Sequence, residues 1–186
     1  RNLIIGSDNG IWSVSPGDSG LFTPTDHRIT KLSNAEVLGP RAFAQTGDEL
    51  HLATSDGIQR IVLTDRGQPV VQSIMEGVNK TEYLKILKEG REAVGAYDSD
   101  EDTIRWIFPP AGDRLTSITS LPTVGLNFHM IHEAWYRYDW PVGSAILDMH
   151  MVPYSAEVET YNKVRYFTAA PNFLVLTNPS PVITEW

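Results

Sequence analysis

The chain has 186 residues, of which 41% are hydrophobic and 20% charged, enough for one domain with a substantial core. Its 15 Lys and Arg against 23 Asp and Glu give a formal charge of -8, the wrong sign for holding phosphates by counterion release, which argues against tight nucleic-acid binding. There is no cysteine, which removes disulfides, thiolate nucleophiles and Cys-ligated zinc or iron-sulfur sites, and no run approaches the roughly 20 apolar residues of a membrane helix.

Arg1 stands where Met would open a gene product, so the chain is read as part of a longer polypeptide or a processed one. Arg1 to Gly10 lacks a signal-peptide pattern. From there, short or alternating apolar runs bounded by Gly, Asp, Asn and Pro predict antiparallel strands. Leu3-Ile4-Ile5 and Ile11-Trp12-Ser13-Val14 flank a turn in which Asn9-Gly10 is expected to supply the positive-φ residues of a tight hairpin. A second copy runs from Leu50-His51-Leu52-Ala53 through Ser55-Asp56-Gly57 to Ile58–Leu63, and Leu50 follows Leu3 by 47 residues. A spacing near 45 residues predicts a repeat.

Glu82 to Glu89 predicts the one helix, with Thr81 as N-cap and Gly90 beyond its end. A third, looser copy follows at Ala93–Tyr97, an acidic turn at Asp98–Asp102, and Thr103–Phe108. Pro109 to Pro122 reads as a long loop, and Ala134–Trp140 and Ala145–Val152 read as strands. A fourth copy is Val164–Thr168, Ala170-Pro171-Asn172 and Phe173–Leu176. Units of about 40 to 50 residues with some four strands each are the signature of β-propeller blades. The expectation is therefore an all-β fold: one β-propeller-like domain over 1–186, built of four-stranded antiparallel blades at approximately 1–38, 39–78, 84–141 and 142–186. Those four blade equivalents form a small ring or part of a larger one.

Asp98, Asp100 and Asp102 resemble the start of a calcium loop, but the Gly and the distal Glu of an EF-hand are replaced by Thr103 and Pro109, so the run reads as a solvated turn. His129, His132, Glu133 and His150 are the candidate metal ligands. The spacing His129-x-x-His132 puts the two rings on opposite faces of a strand, and there is no HExxH pattern. Ser7-Asp8-Asn9-Gly10-Ile11-Trp12 resembles the Asp-box turn of sialidase-like propellers, but Asp8 and Trp12 are out of register with it. Glu133 and Asp139 are candidates for a glycosidase carboxylate pair, and Trp135, Tyr136, Tyr138 and Trp140 for a sugar platform, against the plainer reading of packing between blades. There, Trp135 shares a face with Arg137, and Tyr136 with Tyr138 and Trp140. Asn79-Lys80-Thr81 is a glycosylation sequon by pattern alone, and no phosphate loop, GxSxG elbow or Rossmann fingerprint occurs. No catalytic, cofactor-binding or metal residue is assigned.

The wording LIIGSDNGIWSVS, LFTPTDHRITKLSNAEVLGPRAF and LHLATSDGIQRIVLTDRGQPVVQSI resembles the nozzle proteins of short-tailed bacteriophages, the tail tubular protein B family. The residues that carry the resemblance are Asn9-Gly10-Ile11-Trp12, Thr23-Pro24-Thr25, Gly39-Pro40 and Asp56-Gly57. AVGAYDSDEDTIRWIFP and EAWYRYDWPVGSAILDMHMV extend it, so that it covers roughly Leu3 to Asn178. The resemblance implies a non-enzymatic virion component, made in the host cytoplasm, without a cofactor. It would assemble as a six-fold homo-oligomeric ring with portal and adaptor partners and leave a channel through which double-stranded DNA passes without specific binding. An acidic chain suits a conduit, because negative walls repel phosphates. The alternative expectation is a bacterial propeller module that binds a small ligand or sugar, and a glycoside hydrolase or lyase is a third.

Overall fold

The computed structural model describes residues 2–88, 92–109, 123–139, 146–155, 160–170, 173–177 and 182–185, with side chains up to residue 139 apart from that of Val78. The predicted loop after Pro109, Gly90, Trp140 and the turn Pro171-Asn172 lie outside these residues.

The described chain is all-β apart from one helix, and every strand pair is antiparallel. The first sheet is β1 (Leu3–Ser7), β2 (Gly10–Pro16) and β3 (His27–Ser33), in that order. The second is β4 (Phe43–Thr46), β5 (Glu49–Thr54), β6 (Gly57–Leu63) and β7 (Pro69–Ser73). After helix α1 (Gly77–Leu87) come β8 (Val94–Asp98), β9 (Thr103–Phe108), β10 (Val124–His129) and β11 (Ala134–Asp139), which form a third sheet. β12 (Ile146–Ser155), β13 (Thr160–Ala170) and β14 (Phe173–Thr177) form a fourth. The last strand, β15 (Val182–Glu185), pairs with β11 rather than with the unit it follows. Among the described residues the sheets therefore hold three, four, five and three strands, where four-stranded units were expected throughout.

The first two hairpins are copies of each other in atomic detail. Ser7 pairs with Gly10 and Thr54 with Gly57, so the turn residues are Asp8-Asn9 and Ser55-Asp56. This corrects the placement of the first turn at Asn9-Gly10. In each copy a hydroxyl closes the turn: Ser7 Oγ accepts from Asn9 N–H at 3.2 Å and donates to Gly10 O at 3.1 Å, and Thr54 Oγ1 accepts from Asp56 N–H at 3.3 Å and donates to Gly57 O at 2.8 Å. The hydroxyl holds the two turn residues locally, so the glycine takes the conformation a side chain resists, φ +126° at Gly10 and +127° at Gly57.

The hairpins of the third sheet use a different device. Both the β8–β9 and β10–β11 turns contain four residues and end on one left-handed residue, Asp102 and Glu133, each at φ 49°. Their local wording imitates the first two copies, but β8 packs beside β4 and not in the place of β5. The third copy is therefore entered one strand earlier than the sequence match implies. An apolar-turn-apolar run reads alike at either end of an antiparallel sheet, which is why the match misleads.

Helix α1 starts at Gly77, with Glu76 at the N-cap position and no side-chain cap, earlier than the predicted start at Glu82. Thr81, expected as the cap, lies inside and donates back to Gly77 O at 3.2 Å. The helix is positioned by tertiary contacts rather than by a capping signal: Tyr83 is fully buried, donates to Thr54 O at 2.7 Å and meets Phe108 edge-on at 5.7 Å. Lys80 of the sequon pairs with Asp56 at 2.8 Å.

The sheets neighbour one another in chain order. Gly6 on β1 faces the second sheet so closely that a Cβ there would lie 2.8 Å from Phe43 Cζ and from Val37 Cγ2. β3 lies against β7, β4 against β8, and β12 against β8 and β9. The core runs through the stack, with Ile11, Leu52, Ile58, Met75, Ile104, Trp106 and Leu126 fully buried. The segment 36–41 stitches three sheets by backbone bonds: Val37 N–H to Ser7 O at 2.9 Å, Leu38 N–H to Ala53 O at 3.1 Å, and Gly95 N–H to Arg41 O at 2.8 Å.

Candidate functional site

A cleft of about 930 Å³ opens where this stitching segment meets the first hairpin turn and the end of α1. Val37, Leu38, Phe43, Leu84 and Leu87 give it an apolar floor, and Asp8, Glu36, Glu92 and Lys88 stand on its polar rim. Its walls are the structural joints themselves, because Ser7 and Ser55 at its margin belong to the two copied turns.

A second polar locus sits inside the molecule. His51 on β5 is fully buried opposite Arg60 on β6, and its Nε2 lies 3.5 Å from Glu49 Oε2. Neither ring nitrogen has a hydrogen-bonding partner among the described residues. Burial, aided by the nearby Arg60 guanidinium, pulls the imidazole down to about 4. Arg60 also reaches Glu49 Oε1 at 3.6 Å and donates to Gln72 Oε1 at 2.9 Å, which holds the carboxylate and guanidinium on the same face. Sequence reading passed over this group. A His alternating with apolar residues carries no sign of burial until the covering sheet is known.

The acidic run is occupied by structure. Asp98 is buried, accepts from the N–H groups of Asp100 and Glu101 at 3.2 and 3.4 Å, and pairs with Arg105 at 3.0 Å. Asp102 accepts from the Tyr97 hydroxyl at 2.7 Å, and this bond, with burial and the two carboxylates, pushes the phenol up to about 12. Asp98 thus holds its turn by accepting from two backbone N–H groups, where Ser7 and Thr54 each accept one hydrogen bond and donate one.

His129 and His132 do not lie on opposite faces of a strand. His129 ends β10, His132 lies in the following turn, and the rings face each other at 4.4 Å, with His129 Nδ1 accepting from His132 N–H at 3.4 Å. The expectation treated the pair as strand residues, whereas the turn folds them together. Glu133 is beside them, while His150 is on β12, whose side chains lie outside the description. Among the described residues no three His, Asp or Glu side chains gather in metal-holding geometry.

Glu133 and Asp139 sit at opposite ends of β11, about 20 Å apart at the rise of a strand, beyond the roughly 5 to 9.5 Å of a glycosidase pair. Asp139 accepts from Arg137 Nε at 2.9 Å, and Arg137 also reaches Glu82 of α1 at 3.8 Å. Trp135 is buried, stacked on Trp106 at 6.2 Å and tilted against Phe128 at 4.7 Å, so it serves the core; Tyr136 and Tyr138 are half-buried. No protein-family model matches the chain, and no curated protein matches it either.

Proposed function

We propose that the chain is a structural, β-propeller-type subunit of a short-tailed phage's tail nozzle, whose work is assembly and passive conduction of the genome. The observation that carries this reading is where its motif residues fall. Asn9-Gly10 and Asp56-Gly57 lead out of the copied turns into β2 and β6, Gly39-Pro40 lies in the stitching segment, and Thr23 bridges to Asp26 in the loop before β3. The first three lie where strands or sheets are joined, as a protein whose function is its shape requires. The edge strands β4, β8 and β12 also neighbour one another in sequence, which supports a propeller-like order. The charge of -8 suits a wall past which DNA slides.

Electron microscopy and mass measurement of the chain mixed with portal and adaptor proteins test this reading. Rings with an axial channel are the expected result, and a chain that stays monomeric with those partners sinks it. The cleft favours one other reading, a ligand-binding module, because its apolar floor and polar rim suit a small amphipathic molecule such as a saccharide. Calorimetry with a saccharide panel separates the two: saturable binding lost in Leu84→Arg belongs to the module, and no heat from any member belongs to the nozzle.

A further inference from the structure

The 47-residue repeat exposes an unmatched surface. On the first sheet Leu3 pairs with Val14 and Ile5 with Trp12, while Val14 pairs with Ile29 and Trp12 with Lys31, so these six side chains share one face. At the same register in the second sheet, Leu50 pairs with Ile61 and Leu52 with Gln59. There the face is covered: Leu52 is 0%, Ile61 4% and Gln59 7% exposed. Its cover is the opposite face of the first sheet, where Gly6 meets Phe43, the cross-strand neighbour of Leu52. On the first sheet the corresponding residues are open, with Leu3 56%, Ile5 44% and Ile29 58% exposed. The edge differs in the same sense, because β5 has β4 on its far side and β1 has no strand there among the described residues.

Burying an apolar face of this kind on a β-sheet is thus something the chain already does once, in matching register. Charge narrows the occupant. The face carries no carboxylate, and Lys31, held 5.0 Å over the Trp12 ring, gives it a positive charge on a chain of net -8. A second copy brings both β-sheets of the right chemistry and the negative surface to match.

We propose that this face of the first sheet, together with the free edge of β1, docks a β-sheet of a second copy of the chain. The inference rests on the reading of the chain as a self-assembling subunit, and it names the surface. The two faces joined are different, so the contact is heterologous and produces rings or open filaments.

Light scattering over roughly 1 to 100 µM tests it, the range in which a modest protein contact is populated. The wild-type mass is expected to rise with concentration above 20.7 kDa. Ile29→Glu is expected to weaken association at least about tenfold, while Leu63→Glu, at an equally exposed apolar residue on another sheet, leaves it unchanged. Circular dichroism checks the fold, and the milder Ile29→Ser replaces Ile29→Glu if the latter unfolds. A wild type at 20.7 kDa throughout overturns the proposal, as does assembly indifferent to both Ile29 variants. Six-fold rings that survive Ile29→Glu keep the nozzle and sink this surface, open filaments abolished by it keep the surface and sink the nozzle, and closed dimers overturn the proposal.

Discussion

His51 is the residue whose chemistry the fold alters most. Folding brings the imidazole from the ordinary 6.5 down to about 4, because burial disfavours the cation and the Arg60 guanidinium repels it. The unfolded chain therefore binds a proton that the native chain refuses, and stability falls as pH drops from about 6.5 toward 4. The loss amounts to about 3 kcal/mol at the low end. Urea titrations at pH 7.5 and pH 4.5 should differ by a large part of that amount, and His51→Leu should flatten the dependence; an unchanged slope in the variant would assign it to the carboxylates instead. Tyr97 supplies a second readout. Removing the charge beside it with Asp102→Asn should move its phenol from about 12 back toward 10, seen as an earlier rise in ultraviolet absorbance on alkaline titration.

At the scale of the element, the two copied hairpins share a backbone but not a neighbourhood. A Cβ on Gly57 would find only Met75 Cβ at 3.9 Å, whereas one on Gly10 would lie 2.3 Å from Ser33 O. Gly57→Ala should therefore cost only the strain of its positive φ, about 1 to 3 kcal/mol, and Gly10→Ala distinctly more. Chemical denaturation of both variants checks the order; equal costs would mean that β3 gives way at Ser33. This contrast also marks how far local sequence reaches. The hydroxyl, the acidic or amide turn residue and the glycine are all legible in Ser7–Gly10 and Thr54–Gly57. The exact turn pair was misplaced by one residue, because Asn-Gly is a strong positive-φ signal and the hydroxyl bond that overrides it is visible only in coordinates. The helix shows the reverse case: its existence was legible from Glu82 onward, but its start at Gly77 answers to Tyr83 and Lys80 reaching the second sheet.

Across the whole molecule, Tyr83 is the bolt between α1, the second sheet and the third. Burial drives its phenol well above the ordinary range, so it stays a neutral donor to Thr54 O. Tyr83→Phe keeps the ring against Phe108 and removes the hydrogen bond to Thr54 O, for a loss of about 1 kcal/mol in a thermal or urea melt. A larger loss follows from Trp106→Ala, about 3 to 5 kcal/mol, because Trp106 is fully buried and stacked on Trp135. If Trp106→Ala melts like the wild type, the third sheet does not share its core with the rest.

What the sequence determined by itself is what depends on near neighbours: the β class, the hairpins at Asn9 and Asp56, the 47-residue offset between them, and the strand read over Ala134–Trp140, described over Ala134–Asp139. Period-two alternation says that a strand has two faces, but when both faces of a sheet are covered it offers no contrast to say what covers each. Only the tertiary structure therefore decided that His51 is interior and Ile5 open, that β8 joins beside β4, and that β15 crosses to β11. Each of these is a pairing between residues distant in the chain, settled by which surfaces remain to be buried once the local turns have formed.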